Sequence, residues 1–174
     1  MNKYDVIIIG AGPSGIFCAY ELMRQKPDMK VLMIEKGRSI EKRQCPKRTT
    51  KVCVGCKPCS ITTGFAGAGA FSDGKLSLSP DVGGTLPEIL GYEKAEELIK
   101  EADNIYLKFG ADEKVYGIDD YEAIERIRAK AIRANLKLIE CPIRHLGTEE
   151  GYKIYTRLQE HLLASGVEIK FMTM

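Results

Sequence analysis

Several features are scarce or missing in this chain, and each absence excludes a class of protein. Tryptophan is absent, no apolar run reaches the length of a membrane-spanning helix, and the 26 basic residues nearly balance the 24 acidic ones. Because a nucleic-acid-binding domain would carry a basic excess, we expect neither a nucleic-acid partner nor a membrane partner. A cytoplasmic protein with an ordinary packed core remains.

The beginning of the chain has the pattern of a strand, a helix and a second strand. Residues 4–9 form a continuous β-branched apolar run, which predicts a central strand covered on both faces. Residues 14–25 show helical spacing before Pro27, and residues 31–35 are a second apolar run. The predicted fold class is α/β, with a Rossmann-like βαβ unit, a partial parallel sheet in three layers and a helical insertion.

A glycine-rich turn, G-x-G-x-x-G, joins the first strand to the helix. In this pattern Gly10 permits a tight turn, Gly12 lets a pyrophosphate approach the backbone, and Gly15 lets helix and strand pack closely. Glu35 ends the second strand, where its carboxylate can accept hydrogen bonds from adenosine ribose hydroxyls and repel a 2′-phosphate. The alternative is a turn that only packs the helix on the strand. The predicted ligand contacts are Gly10, Gly12, Pro13, Ser14, Gly15, Glu35 and Lys36.

A second glycine-rich stretch, GFAGAGAFSDG, occupies residues 64–74 and is called the glycine segment below. Its small residues expose successive N–H groups, which can lie against a flavin ring or a second face of a pyrophosphate. The alternative is a close-packed turn that holds no ligand. The predicted contacts in this segment are Gly67, Ala68, Gly69 and Ala70.

Cysteines precede the glycine segment at regular spacing. Cys53, Cys56 and Cys59 form a C-x-x-C-x-x-C pattern, and Cys45 could supply a fourth sulfur. Such gaps let one loop wrap a metal site, and the surrounding cations, Arg43 among them, favour thiolates. Three interpretations stay open: a 4Fe–4S cluster, a structural zinc, or thiols that exchange disulfides or simply stay reduced.

The rest of the chain is predicted to be mainly helical. Helices are expected at residues 92–109, 121–134 and 149–164, with short strands at 136–140 and 167–171. Asp119 and Glu122 are spaced as a capping box for the second of these helices. Cys18 and Cys141 are predicted to be core thiols. Since the last strand lies close to Met174, we expect a shortened single domain, with a core of residues 1–82 and 145–174 and a helical insertion at 86–144.

The stretches YDVIIIGAGPSG and IEKG, the cysteine pattern followed by GAGAFSDGKL, and RHLGT together resemble the bacterial and archaeal FAD-dependent dehydrogenases. These are largely uncharacterised members of the glutathione-reductase-like FAD superfamily, and the resemblance covers about residues 4–171. It implies FAD as cofactor, with its pyrophosphate at the first glycine cluster, its adenosine ribose at Glu35 and its flavin near residues 67–70. Members of this family are typically far longer.

The resemblance implies a flavin-dependent oxidoreductase that carries a hydride or electrons through FAD, with an unknown small-molecule substrate or electron donor. One alternative is a non-catalytic nucleotide-binding or iron–sulfur electron-transfer module completed by a partner chain. Another is an NAD-binding Rossmann domain. Whether the 174 residues act as an enzyme alone, and whether they form a homo-oligomer, stays open at this point.

Overall fold

The structure is a computed structural model, and it describes residues 3–174. The strands of the described chain are β1 (Val6–Ile9), β2 (Val31–Ile34), β3 (Lys75–Ser77), β4 (Val115–Tyr116), β5 (Ile143–His145) and β6 (Glu168–Lys170). Its α-helices are α1 (Pro13–Gln25), α2 (Lys47–Thr50), α3 (Leu86–Leu90), α4 (Tyr92–Lys108), α5 (Tyr121–Arg133) and α6 (Thr148–Ala164). Short 3₁₀ helices lie at Ile40–Lys42 and Gly67–Phe71.

The chain divides into two compact units. The first unit comprises the residues up to Gly74 together with Thr148–Met174, and the second comprises Lys75–Gly147. The first unit contains a parallel sheet in the order β1-β2-β6, and the second contains an antiparallel sheet in the order β3-β5-β4. The predicted α/β class with a βαβ unit is confirmed.

The parallel sheet differs from the prediction in one respect. Strand β1 pairs with β2 and forms the edge of the described sheet, so Ile7 and Ile9 are 56% and 86% exposed. The prediction of a central strand covered on both faces was therefore wrong for the described chain. A continuous apolar run reports the character of a strand, but it does not report which neighbours cover it.

Helices α1 and α6 supply the core of the first unit. Helix α1 packs against α6, β1 and β2 and buries a stripe formed by Ile16, Ala19, Tyr20 and Met23. Helix α6 buries Ile154, Leu158 and Leu162, which are completely shielded from solvent. Burying each such side chain stabilises the fold by roughly 1.5–3 kcal/mol. The packing of α1 on β1 and β2, and of α6 on α1, fixes the position of the glycine turn between β1 and α1.

Helix α6 is also tied to the segment that follows β2. The side-chain oxygen of Gln159 accepts a hydrogen bond from the backbone N–H of Ile40 at 3.0 Å. Its amide nitrogen donates to the carboxylate of Glu41, also at 3.0 Å. A glutamine that is only 6% exposed thus satisfies both of its polar ends within the protein, as a buried side-chain amide requires.

The second unit corrects two local predictions. Residues 136–140 form no strand; instead Ile143–His145 pairs with β3 and β4. The cap of α5 is Asp120, whose side chain accepts a hydrogen bond from the N–H of Ala123 at 2.8 Å, rather than the predicted Asp119. Asn135 adopts a left-handed conformation directly after α5, which ends the helix and turns the chain away from an extended path.

A buried ion pair holds the antiparallel sheet to α4 within the second unit. Arg144 on β5 donates to both carboxylate oxygens of Asp103 on α4 and to the backbone oxygen of Asp112. The hydrogen bonds to Asp103 raise the pKa of the guanidinium, which therefore stays charged. Within the described chain, none of the helices combines the length and the apolar character that crossing a bilayer requires.

Candidate functional site

The turn between β1 and α1 presents an open backbone surface. Gly10 has a φ of 99°, which lets the chain reverse direction directly after β1. Gly12 is the N-cap of α1, and this helix start has no side-chain cap among the described residues. A Cβ atom built on Gly10 or Gly12 would meet no described atom within 4 Å. The front of the turn therefore has room for a ligand, and the amides and dipole of the helix start favour an anion there.

Gly15 has a packing role. A Cβ atom on Gly15 would lie 2.1 Å from the carbonyl oxygen of Gly10 and 3.2 Å from a side-chain carbon of Ile8. A larger residue could enter only if the backbone of the turn moved. Strand and helix thus approach each other at this glycine, whereas Gly12 faces open space.

Glu35 lies directly after β2 and contacts the glycine turn. One of its carboxylate oxygens accepts a hydrogen bond from the N–H of Ala11 at 2.8 Å, and the other accepts one from the N–H of Gly37 at 2.7 Å. The residue is 6% exposed. Each carboxylate oxygen can accept more than one hydrogen bond, so both retain acceptor capacity beside the turn.

The glycine segment packs against the glycine turn. The N–H of Ala66 donates to the carbonyl of Ala11 at 2.7 Å, and the N–H of Phe65 donates to the carbonyl of Arg38 at 3.0 Å. A Cβ atom on Gly67 would lie 3.8 Å from the Cα of Gly12. The two glycine clusters, about 50 residues apart in sequence, therefore form one backbone surface.

Arg43 holds the glycine segment from the inside. It is 4% exposed, and its guanidinium donates to the carbonyl oxygens of Ser60, Ile61, Phe65 and Gly67 at 3.0, 2.6, 2.6 and 2.7 Å. Residues 60–66 have no regular helix or strand, so their carbonyl groups need donors from elsewhere. The five N–H groups of one guanidinium supply them.

The role of Arg43 was missed in the sequence, where it was grouped with the cations around the cysteines. Burial lowers the pKa of its guanidinium, and the nearby Glu35 and Cys59 oppose that effect. The guanidinium also lies 4.7 Å from the centre of the Phe71 ring. The signal that could have found it is indirect: an arginine beside an irregular, glycine-rich stretch whose carbonyl groups lack partners.

The cysteines do not converge. Cys53, Cys56 and Cys59 are exposed free thiols, and Cys45 is half-buried. Among the residues that the structure describes, no group of three or more His, Cys, Asp or Glu side chains could hold a metal ion. The predicted metal site at these four cysteines is therefore not supported. Residues 53–58 form no regular helix or strand that would direct the sulfurs to a common point, and helix α2 separates them from Cys45.

Two further cysteine predictions can be compared with the structure. Cys18 is exposed on α1, so its prediction as a core thiol was wrong, because it falls outside the buried stripe of that helix. Cys141 is half-buried, and its sulfur lies 2.8 Å from the hydroxyl of Ser77. Neither thiol adjoins the predicted metal ligands in sequence.

Cys59 differs from its neighbours in chemistry. Hydrogen bonds from the backbone of Thr62 and Ile61 and from the Thr62 side chain, with the charge of Arg43 nearby, lower the pKa of its thiol. Only the small burial penalty acts in the opposite direction. This end of the cysteine segment, defined as residues 53–59, therefore carries the thiol with the greater thiolate character.

The structure brings most of the predicted ligand contacts to one place. The glycine turn, Glu35 and Gly67 meet as described above. Lys36 is exposed, as are Ala68 and Gly69. Ala70 is 1% exposed, so its side chain packs in the interior and its backbone is what remains for a contact.

Comparison with known proteins finds sequence similarity at the first glycine cluster. Residues 1–41 match the Thi4 family. A thiamine thiazole synthase of Coprinopsis cinerea is 52% identical over 33 residues, which are 19% of this chain and 10% of that protein. In this chain, residues 6–35 of the matched stretch contain β1, the glycine turn, α1, β2 and Glu35.

Comparison with solved structures extends over nearly the whole chain. The 3-ketosteroid-Δ4-(5α)-dehydrogenase of Rhodococcus jostii RHA1 aligns with 97% of this chain at a TM-score of 0.52 and 17% identity. The THI4 protein of Thermovibrio ammonificans aligns with 97% of it at a TM-score of 0.40 and 12% identity. The chain spans 38% of the length of each of these two proteins. The first of these similarities shows that the fold is shared with a known oxidoreductase.

Proposed function

We propose that this chain binds FAD and forms the FAD-binding part of a flavin-dependent oxidoreductase. One observation carries the proposal: the open glycine turn at the start of α1 lies beside the carboxylate of Glu35. The helix start would hold the diphosphate, because its amides and dipole favour a doubly charged anion. Glu35 would accept hydrogen bonds from the adenosine ribose and repel a 2′-phosphate, which favours FAD or NAD over NADP.

The glycine segment supports FAD as the dinucleotide. It contacts the turn at Gly67, so its exposed backbone continues the surface on which the diphosphate would lie. Residues 67–70 would then orient the part of the cofactor that follows the diphosphate. When bound, FAD supplies a flavin that accepts or donates a hydride or single electrons.

The comparisons support nucleotide binding more strongly than they support a reaction. Sequence similarity to the Thi4 family lies at residues 1–41, which include the elements that would hold the ADP part of a dinucleotide. We extend neither thiazole synthesis nor steroid oxidation to this chain. Dehydrogenation of an unidentified small molecule is our proposal for the complete activity. None of the described residues forms a metal site that would favour the alternative of an iron–sulfur electron-transfer module.

We further propose that residues 1–82 and 145–174 act as the nucleotide-binding core and residues 86–144 as an insertion. Residues 1 and 2 of that core lie outside the described residues. The glycine turn, Glu35, the glycine segment and Arg43 all belong to the first compact unit. Nucleotide binding should therefore depend on substitutions in this unit and not on substitutions at α4 or α5.

The test is titration of the purified chain with FAD. We expect Gly12→Ala to weaken FAD binding by more than about tenfold, or about 1.4 kcal/mol, because the added methyl group occupies the space where the diphosphate would lie. Gly12 has a φ of −75°, which alanine adopts readily, so the variant should fold. Gly151→Ala in α6 is the matched control, since it also adds a methyl group in open space.

Binding of ADP and of adenosine 2′,5′-bisphosphate tests the contribution of Glu35. The wild type should bind ADP and discriminate against the bisphosphate, and Glu35→Gln should reduce that discrimination. If folded wild-type protein binds neither FAD nor ADP, or if Gly12→Ala and Gly151→Ala bind FAD equally well, the proposal fails.

A further inference from the structure

A cleft of about 430 Å³ lies in the first unit, at the opposite end of the Gly67–Phe71 helix from the glycine turn. Its walls come from the segment after β2, from α2, from the end of the 3₁₀ helix and from the first turns of α6. The residues that matter here are Glu41, Arg48, Phe71, Glu149, Tyr152 and Lys153. None of these residues belongs to the proposed dinucleotide contacts.

Two aromatic rings form part of the cleft wall. Phe71 and Tyr152 are both half-buried, so each ring has one part packed in the protein and one part accessible to solvent. The guanidinium groups of Arg43 and Arg48 lie 4.7 and 4.9 Å from the centre of the Phe71 ring, which leaves the edge of Phe71 and the ring of Tyr152 for another planar ring to pack on. The apolar character of the cleft therefore comes from surfaces suited to a flat ligand.

Arg48 is the available cation of this cleft. Its guanidinium lies 4.9 Å from the centre of the Phe71 ring and makes no ion pair with any residue of the described chain. Lys153, in contrast, is paired with Glu150 at 2.6 Å. An arginine held against an aromatic ring keeps its N–H groups directed along the ring plane, where they can reach a carboxylate.

The two acidic residues of the cleft interact with other parts of the protein. Both carboxylate oxygens of Glu41 already accept hydrogen bonds, one from the hydroxyl of Ser39 at 2.5 Å and one from Gln159 at 3.0 Å. Glu149 lies in the first turn of α6, where the helix dipole favours a negative side chain. Since neither carboxylate forms an ion pair with Arg48 among the described residues, the guanidinium of Arg48 keeps its N–H groups available to a ligand.

We propose that this cleft binds a small planar aromatic carboxylate. The ring of the ligand packs against Tyr152 and the edge of Phe71, and its carboxylate accepts two parallel hydrogen bonds from the guanidinium of Arg48. The site is separate from the proposed diphosphate site, and its occupation requires no FAD.

The test uses benzoate as the probe and the FAD-free chain, with binding followed through the backbone amide NMR signals of Phe71 and Tyr152. We expect saturable shifts with benzoate and weaker binding of acetate, which lacks the ring, and of benzyl alcohol, which lacks the charge. Arg48→Gln should weaken benzoate binding by about tenfold, because it removes a charge-assisted pair of hydrogen bonds. Lys47→Gln removes the same charge from the same exposed helix and is the matched control, with a change below about twofold.

Tyr152→Ala provides a second, independent variant, since it removes one aromatic wall and leaves the charge of the cleft unchanged. It should weaken benzoate binding and leave acetate binding unaffected. The proposal is overturned if benzoate shifts neither amide, if Arg48→Gln and Lys47→Gln weaken binding equally, or if benzyl alcohol binds as tightly as benzoate. Because no arm contains FAD, these outcomes are independent of whether the chain binds the dinucleotide.

Discussion

The cysteine segment (residues 53–59) and the glycine segment (residues 64–74) are neighbours in sequence, but the protein holds them differently. The glycine segment is bridged to Arg38 at Gly64, bonded to Ala11 through Ala66, and tied from within by Arg43. In the cysteine segment Val54 is 61% exposed, and the thiols of Cys53, Cys56 and Cys59 are exposed as well. Arg43 makes no hydrogen bond to the described backbone of the cysteine segment. Its hydrogen bonds begin at Ser60 and Ile61, just after the last residue of that segment.

The difference between these segments shows that a binding site needs fixed geometry as well as suitable chemical groups. A ligand that must be held in one orientation needs donors whose positions are set before it arrives. Backbone amides of the glycine segment meet this requirement because their neighbours are fixed by buried hydrogen bonds. The thiols of the cysteine segment have suitable chemistry for a metal, but no described element directs three of them to one point.

The largest expected effect separates a glycine substitution that presses on the glycine segment from one within the cysteine segment. Gly37→Ala should lower the free energy of unfolding by about 3 kcal/mol or more, because its Cβ would lie 2.4 Å from the backbone nitrogen of Gly64. Gly55→Ala should cost only about 1 kcal/mol, since its Cβ meets open space and the strain of a φ of 64° is the main penalty. Urea denaturation measures both. Equal losses would show that the two regions are equally well packed.

A smaller effect is expected at Arg43. Arg43→Gln should lower the free energy of unfolding by about 2 kcal/mol, because a glutamine cannot supply donors to all four carbonyl groups that the guanidinium serves. The loss should be accompanied by faster hydrogen exchange at the amides of Ala66 and Gly67. Lys47→Gln, at an exposed position of α2, should change stability by less than about 0.5 kcal/mol. If both variants lose the same stability, Arg43 does not organise the glycine segment.

The smallest effect distinguishes thiols within the cysteine segment. At neutral pH, Cys59 should react with iodoacetamide faster than Cys53 and Cys56, because backbone hydrogen bonds from Thr62 and Ile61 lower its pKa and the thiolate is the nucleophile. Its rate should fall as the pH is lowered through this depressed pKa. Peptide mass spectrometry after timed alkylation measures all three sites. If the three thiols react at identical rates, the hydrogen bonds to Cys59 do not lower its pKa in solution.

Local pattern predicted the beginning of the fold well. The β-branched run of β1, the proline at the start of α1 and the apolar run of β2 are each encoded within a few residues, and their order defines a βαβ unit. The open face at Gly12 and the contact between Gly15 and the turn follow from the same short pattern. Such features depend on backbone geometry, which neighbouring residues largely determine.

Features that depend on distant partners were not predictable in this way. Arg43 lies among exposed cations in sequence, and only the folding of residues 60–67 around its guanidinium makes it a buried residue. The exposure of Ile9 depends on which strands flank β1, and no property of the run itself reports this. Strands β3, β4 and β5 contain two or three residues each, too few for a periodic pattern to appear.

The two main-chain hydrogen bonds to Glu35 have a consequence for the speed of recognition. Because Ala11 and Gly37 immobilise this carboxylate, an incoming sugar would meet an acceptor whose rotamer is already selected. Little side-chain entropy would then be lost on association, and no rearrangement step would precede capture. On the proposed binding mode, nucleotide binding would not wait for this side chain to rearrange, and selectivity would be expressed chiefly in the dissociation rate.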